Sequence, residues 1–330
     1  MQTAHFHRMD ALPVRRIANP RTSGRCSMTN SLSISCVKFG SLALVGLLAV
    51  ACMDITPAGK SVTALPAATP GLYTLSIEHD GQNREAVVYV PHSAIDSAAP
   101  MVLNFHGYGG RAAWHMEDAD MRSLADEEGF VLVYPQGTDL SGGAHWNAAP
   151  SGGDNKSTAD DLGFIESLVD AVEMAHTINS DRIYAVGYSN GGMFAYYLAC
   201  ERSDLIAAAG AVSGTMLDGS CEGSEPISII HIHGTADSVL PYDGDAHTAS
   251  ALDIVDHWRA RNDTTSESTT TETMGGVRVE SSYYTGGSVG TEVEHHRVID
   301  GGHVWFDEPS VGTNGKIWDF VSRFDQVGAI

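Results

Sequence analysis

Short apolar runs alternate along this chain with segments that carry an apolar residue every third or fourth position. Residues 72–77 and 85–90 alternate apolar with polar on either side of Asp80-Gly81, which predicts an antiparallel hairpin. Residues 101–105 form a continuous apolar strand that runs into His106-Gly107-Tyr108-Gly109-Gly110. A helix is expected over 114–128 and a strand over 130–134. Residues 137–160 read as a long loop rich in glycine, serine and asparagine and carrying Trp146; loops of that length in a compact domain are often functional. Asp160 and Asp161 then open a helix whose apolar stripe is Phe164, Ile165, Leu168, Val169, Val172 and Ala175. Further strands are expected at 182–187, 207–212, 227–232 and 293–299, with helices at 192–200, 250–261 and 316–324. The Ser/Thr-rich stretch 262–276 reads as a surface connection. Strands alternating with helices predict an α/β fold over residues 71–330, a single domain built on a mostly parallel sheet with helices on both faces.

The N-terminal part follows a different pattern. Residues 1–27 are basic and irregular, whereas Lys38 followed by the apolar run 41–51 and an Ala49-Val50-Ala51 signal reads as an export leader. The run is too short to span a bilayer, for which about 20 residues are needed. Met28 is the expected start, with residues 1–52 a leader. Leu48-Ala49-Val50-Ala51-Cys52 is close to a lipobox, so Cys52 is a lipidation candidate beside ordinary cleavage and free secretion. Residues 53–70, rich in Pro, Ala, Thr and Ser, read as a flexible tether. Of the five cysteines, Cys200 and Cys221 alone lie beyond the leader. A pair in an exported protein suggests one disulfide, with two buried thiols as the alternative.

Net charge is −22, and the leader is basic, so the remainder is more acidic still. Such a surface repels nucleic acid and anionic membranes, leaving a lipid on Cys52 as the expected route to a membrane.

The chemistry centres on Gly187-Tyr188-Ser189-Asn190-Gly191, a G-x-S-x-G turn between a predicted strand and a predicted helix. A serine hydroxyl is a weak nucleophile until a base takes its proton and a third group orients the base. Asp237 and His303 follow in that order, each in a loop just past a strand, at the sheet edge where Ser189 emerges. Asp243 and Asp245 are rivals of Asp237 but lie beyond Pro241 and read as surface carboxylates. His295 and His296 fall inside the last strand, one expected in the core and the other outside. His231 and His233 share a strand, but no third residue has metal-ligand spacing, so no metal is expected. His106 reads as a loop-orienting residue. The backbone N–H groups of Asn190 and Tyr108 are the candidate oxyanion donors.

The segments LNFHGYGG, FVLVYPQGT, DDLGFIESLV, RIYAVGYSNGGMFAYYLAC, IHIHGTAD with PYDG, and GGHVW together resemble the polyhydroxybutyrate depolymerase/feruloyl esterase family of α/β-hydrolases, in family order over most of residues 72–324. The resemblance implies an α/β-hydrolase fold and a Ser189, Asp237, His303 triad that needs no cofactor. It also implies Trp146 and Trp305 as substrate-binding residues and a Cys200–Cys221 pair. The implied activity is hydrolysis of carboxylic esters attached to or released from a polymer, such as polyhydroxyalkanoate or feruloylated or acetylated xylan, by an exported enzyme. Asn190 after the serine fits the feruloyl and acetyl xylan branch; Phe306 stands where proline is common. Two other readings are a silent polymer- or glycan-binding lipoprotein on the same scaffold and a small serine peptidase.

Overall fold

The computed structural model describes residues 60–95, 97–149, 158–217, 221, 225–306 and 310–330. The leader, Cys52 and residues 150–157 of the long loop lie outside the described residues.

In chain order, β1 (Lys60–Val62), β2 (Gly71–His79), β3 (Gln82–Val90) and β4 (Ala99–Phe105) come first. They are followed by α1 (Ala112–Asp118), α2 (Arg122–Glu128), β5 (Val131–Pro135), β6 (Thr138–Leu140), β7 (Gly143–His145), α3 (Asp161–Ala175), β8 (Ile178–Tyr188) and α4 (Asn190–Glu201). The C-terminal part adds β9 (Ala208–Val212), β10 (Ser228–Gly234), α5 (Ala251–Arg261), β11 (Ser266–Met274), β12 (Val277–Thr285), β13 (Val293–Val298), α6 (Thr313–Val321), β14 (Phe324–Asp325) and β15 (Gly328–Ala329). Eleven strands form one sheet in the order β1-β2-β3-β5-β4-β8-β9-β10-β13-β12-β11. Its centre, from β5 to β13, is parallel. Antiparallel strands β3 and β12 border that centre.

The central strands are buried end to end because both faces are covered: every residue of β4, β5, β9 and β10 is buried. Phe164, Leu168 and Val172 of α3, Phe194 and Leu198 of α4, and Ile254 and Trp258 of α5 fill one face. Met116 of α1, Ala125 of α2, and Ile317 and Phe320 of α6 fill the other. Asp160 caps α3 by accepting from the Gly163 N–H, and Ser250 with Asp253 forms a capping box on α5.

The fold departs from the sequence reading in five places, the first being the expected loop 137–160, whose opening part is the antiparallel pair β6 and β7. The helix expected over 114–128 is two helices. The Tyr134 hydroxyl donates to the Ala119 carbonyl at 2.6 Å and the Asn314 amide to the Asp120 carbonyl at 2.8 Å, taking two acceptors that a continuous helix would use itself. The Ser/Thr-rich connection is instead strand β11, paired antiparallel with β12. From Lys60 onward the expected tether is ordered: β1 pairs in parallel with β2, Leu65 is buried, and the Ala68 N–H binds the Ala175 carbonyl. Finally, His295 and His296 are both buried, because β13 lies between β10 and β12 and is covered on both faces. Cys200 and Cys221 form a disulfide across 21 residues, linking the last turn of α4 to the segment before β10.

The core holds several imidazoles, with a consequence for stability. Burial pushes His106 down to about 4, offset in part by its bond to the Gly107 carbonyl. Burial pushes His115 and His295 down to about 3. In an unfolded chain these rings take a proton near pH 6.5, at about their ordinary value. Between that pH and their folded values the unfolded state binds more protons, so stability falls as pH is lowered from about 6.5. In about 0.15 M salt, which screens the acidic surface, wild-type Tm is expected to drop between pH 7 and 5. His115→Gln is expected to drop less over the same range. Parallel Tm curves for the two proteins would contradict this.

Candidate active site

Ser189 stands between β8 and α4 with φ +52 and ψ −120, a left-handed conformation that side chains rarely adopt. The turn is this tight because the flanking glycines allow it. A Cβ on Gly191 would lie 2.2 Å from the Phe105 carbonyl oxygen, and one on Gly187 would lie 2.4 Å from the Gly191 carbonyl carbon. The G-x-S-x-G spacing is thus a packing requirement, and it lifts the serine off the carboxyl end of the sheet.

His303 follows β13, and its Nε2 lies 2.9 Å from Ser189 Oγ. Its Nδ1 lies 2.7 Å from Asp237 Oδ2. A carboxylate only accepts, so Nδ1 carries the proton and Nε2 is free to accept from the serine hydroxyl. Asp237 follows β10 and is buried. Its Oδ1 accepts from the Val239 and Leu240 N–H groups, each at 2.9 Å. Burial raises the proton affinity of Asp237, but hydrogen bonds from His233, His303, Leu240 and Val239 outweigh it and hold the carboxyl well below the usual carboxylate range. The structure therefore brings together Ser189, Asp237 and His303 from three separate loops. Asp243 and Asp245 are exposed. His231 and His233 face each other, with Nε2 and Nδ1 3.1 Å apart.

The loop after β4 passes beside the serine: a Cβ on Gly107 would lie 3.3 Å from Ser189 Cβ. Tyr108 is the next residue, and Asn190 is the first of α4. Neither backbone N–H is taken by a carbonyl in the turn and loop hydrogen bonds among the described residues. His106 braces this loop. Its Nδ1 donates to the Gly107 carbonyl at 2.7 Å, leaving Nε2 to accept the Gly137 N–H at 3.0 Å.

Two tryptophans were expected at the substrate. Trp146 is fully buried. Its ring stacks on Phe194 at 5.1 Å and its indole N–H donates to the His106 carbonyl at 3.0 Å, so it presents no face to a ligand and serves the loop's packing instead. Trp305 is also mostly buried but lines a cleft of about 540 Å³ with Glu117, Asp118, Tyr188, Val304 and Phe306. Tyr188 and Val304 are the chain neighbours of Ser189 and His303, so the cleft adjoins the serine. A second cavity, of about 410 Å³, sits at the opposite edge, near the amino ends of β9 and β10.

Two contributions escaped the sequence reading. The Asn190 side chain clasps the backbone of Trp146, accepting its N–H at 2.7 Å and donating to its carbonyl at 3.1 Å, which ties the long loop to the elbow. The Tyr188 hydroxyl donates to the His303 carbonyl at 2.8 Å and steadies the histidine loop. Both flank the serine in sequence, and that adjacency was the available signal.

Comparison with known proteins agrees with this architecture. The bifunctional acetylxylan esterase/xylanase XynS20E of Neocallimastix patriciarum is 29% identical over 252 residues, covering 76% of this chain and 35% of that protein. Feruloyl esterase B of Piromyces equi is 29% identical over 167 residues, covering 49% of this chain and 30% of that protein. The chain thus spans about a third of the length of these relatives. Among solved structures, an acetyl xylan esterase from Aspergillus awamori superposes with a TM-score of 0.58 at 15% identity, covering 76% of this chain and 99% of that one. An S-formylglutathione hydrolase from Agrobacterium tumefaciens gives 0.55 at 14% identity, covering 78% and 97%. These likenesses carry the α/β-hydrolase fold. Residues 85–256, more than half of the chain, match the family model described as Esterase PHB depolymerase, and the chain belongs to that family.

Proposed function

We propose that the protein is an exported serine carboxylesterase acting on esters carried by or released from a polymer. The observation that carries this reading is the continuous hydrogen-bonded line from Asp237 through His303 to Ser189, placed at the carboxyl edge of the sheet. Ser189 Oγ attacks the acyl carbon as its proton passes to His303 Nε2. The Asn190 and Tyr108 N–H groups hold the oxyanion. Collapse breaks the bond to the alcohol oxygen, His303 returns the proton to the departing alkoxide, and a water, deprotonated by the same ring, releases the acid. Asp237 keeps the ring in the tautomer that accepts and stabilises its charged form.

The relatives named as acetylxylan and feruloyl esterases support a neutral glycan ester as substrate. The acidic side chains of Glu117 and Asp118 in the cleft agree, since they disfavour anionic esters. The Cys200–Cys221 bridge supports an oxidising compartment and hence export. Whether Cys52 carries a lipid is decided by detergent partitioning of Cys52→Ala: unchanged partitioning removes the anchor. The test of substrate class is a panel of methyl ferulate, acetylated xylan, polyhydroxybutyrate film and short p-nitrophenyl esters. Turnover of the glycan or ferulate esters is expected. Binding of polymer with no ester turned over would replace this reading with a silent binding scaffold.

A further inference from the structure

Behind the Asp237 carboxylate lies a line of buried polar side chains that the mechanism above leaves unused. Tyr196 Oη of α4 is 2.6 Å from His231 Nδ1. His231 Nε2 is 3.1 Å from His233 Nδ1 on the same strand. His233 Nε2 is 2.9 Å from the Leu240 carbonyl oxygen and 3.3 Å from Asp237 Oδ2. Tyr196, His231 and His233 are each at most 2% exposed.

One end of the line fixes every proton in it. The Leu240 carbonyl only accepts, so His233 Nε2 carries a hydrogen. In the neutral ring Nδ1 then accepts, and His231 must offer it Nε2–H. His231 Nδ1 in turn accepts the Tyr196 hydroxyl. Each polar hydrogen points toward Asp237. Burial, reinforced by the neighbouring imidazoles, holds His231 far below its ordinary range, which keeps it in the neutral form that the line requires. Around the line, His295 of β13 stacks on His231 at 5.4 Å and binds the Tyr242 hydroxyl at 2.7 Å. The Tyr242 ring meets His233 edge-on at 5.8 Å and lies under the Arg297 guanidinium at 5.3 Å. His296 lies on the other face of β13 and binds Ser281 at 2.8 Å.

We infer that His233 is a positioning residue for the triad, acting through Asp237. Its Nε2–H, bonded to the Leu240 carbonyl at 2.9 Å, also lies 3.3 Å from the carboxylate oxygen that faces His303, a second imidazole edge against that charge. The same N–H holds Leu240, whose own N–H binds the other carboxylate oxygen. His233 touches neither Ser189 nor the substrate cleft. The inference rests on Ser189, His303 and Asp237 acting as proposed above. The positive N–H edge held beside Oδ2 draws negative charge away from His303. Without it the carboxylate is both looser and more negative toward the ring, so protonated His303 is favoured and fewer encounters begin with a competent base.

The test compares His233→Phe, His233→Gln and Tyr196→Phe with wild type on a short p-nitrophenyl ester across pH, with Ser189→Ala alongside. His233→Phe is expected to lower kcat about tenfold, the scale of one hydrogen bond to a charged group. Its KM should change little, and the acid limb of kcat/KM should move to higher pH. His233→Gln, whose amide N–H reaches the same two acceptors, restores most of kcat and returns the limb. Tyr196→Phe removes the donor to His231 Nδ1 and leaves that buried lone pair unpaired, which loosens the line and moves the limb the same way by less. A folded His233→Phe with wild-type kcat and an unmoved limb overturns the inference. If that variant does not fold, an unmoved limb in Tyr196→Phe overturns it instead. An active Ser189→Ala sinks the triad reading first; an inactive one together with unmoved limbs sinks this inference alone.

Discussion

Ser189→Ala is expected to lower kcat on a chromogenic acetate ester by about 10⁶-fold, the loss that follows removal of a triad nucleophile. The expectation follows from the turn. The hydroxyl is the group at this position within 2.9 Å of His303 Nε2, and it makes no capping bond to α4. Alanine keeps the Cβ and the left-handed backbone, so the elbow and its glycine contacts stay as they are. The fold is therefore untouched while the attacking atom disappears. What remains is the rate that an oxyanion hole and binding alone provide, about 10³–10⁴ over water. Wild-type Tm with activity within about a hundredfold of wild type would require a different nucleophile.

Asp237→Asn carries the second largest expected effect, a fall in kcat of about 10⁴-fold with little change in KM. The surroundings of the carboxylate decide which way the amide must lie. Oδ1 faces the Val239 and Leu240 N–H groups, so the amide oxygen is held there. The NH₂ group is then aimed at His303 Nδ1, the donor that Oδ2 now satisfies, with His233 Nε2 nearby at 3.3 Å. His303 must turn its lone pair toward the amide and carry its proton on Nε2. In that tautomer it cannot accept from Ser189. A variant that folds and retains kcat within tenfold of wild type would show that Asp237 does not set the tautomer. Kinetics on a soluble ester, with KM determined separately, make the distinction.

The parts legible in the sequence were those governed by local rules. The elbow shows because backbone atoms leave no room for a side chain at Gly187 or Gly191. Asp237 and His303 show because each follows a strand by a few residues, His303 in a glycine-flanked loop. The parts that escaped depend on partners distant along the chain. Strand β11 has no apolar face, with Ser266–Thr271 exposed throughout, and it is a strand because β12 pairs with it. The break between α1 and α2 is made by Tyr134 and Asn314, one on β5 and the other on α6. The family resemblance implied Trp146 as a substrate residue in the long polar loop. Phe194 and the His106 carbonyl draw it inward. Nor could a period of two show that both sides of β13 are covered, so one of His295 and His296 was expected on the outside. His233, weighed as a metal ligand, stands four residues before Asp237, and only the bend after β10 brings the two together.

The most direct measurement is covalent. Wild-type protein treated with a fluorophosphonate, digested and mapped by mass spectrometry, should carry one adduct per chain on Ser189, with ester hydrolysis lost in proportion to labelling. Ester hydrolysis that persists after Ser189 is fully labelled, or that is lost through an adduct on another residue, would contradict the account.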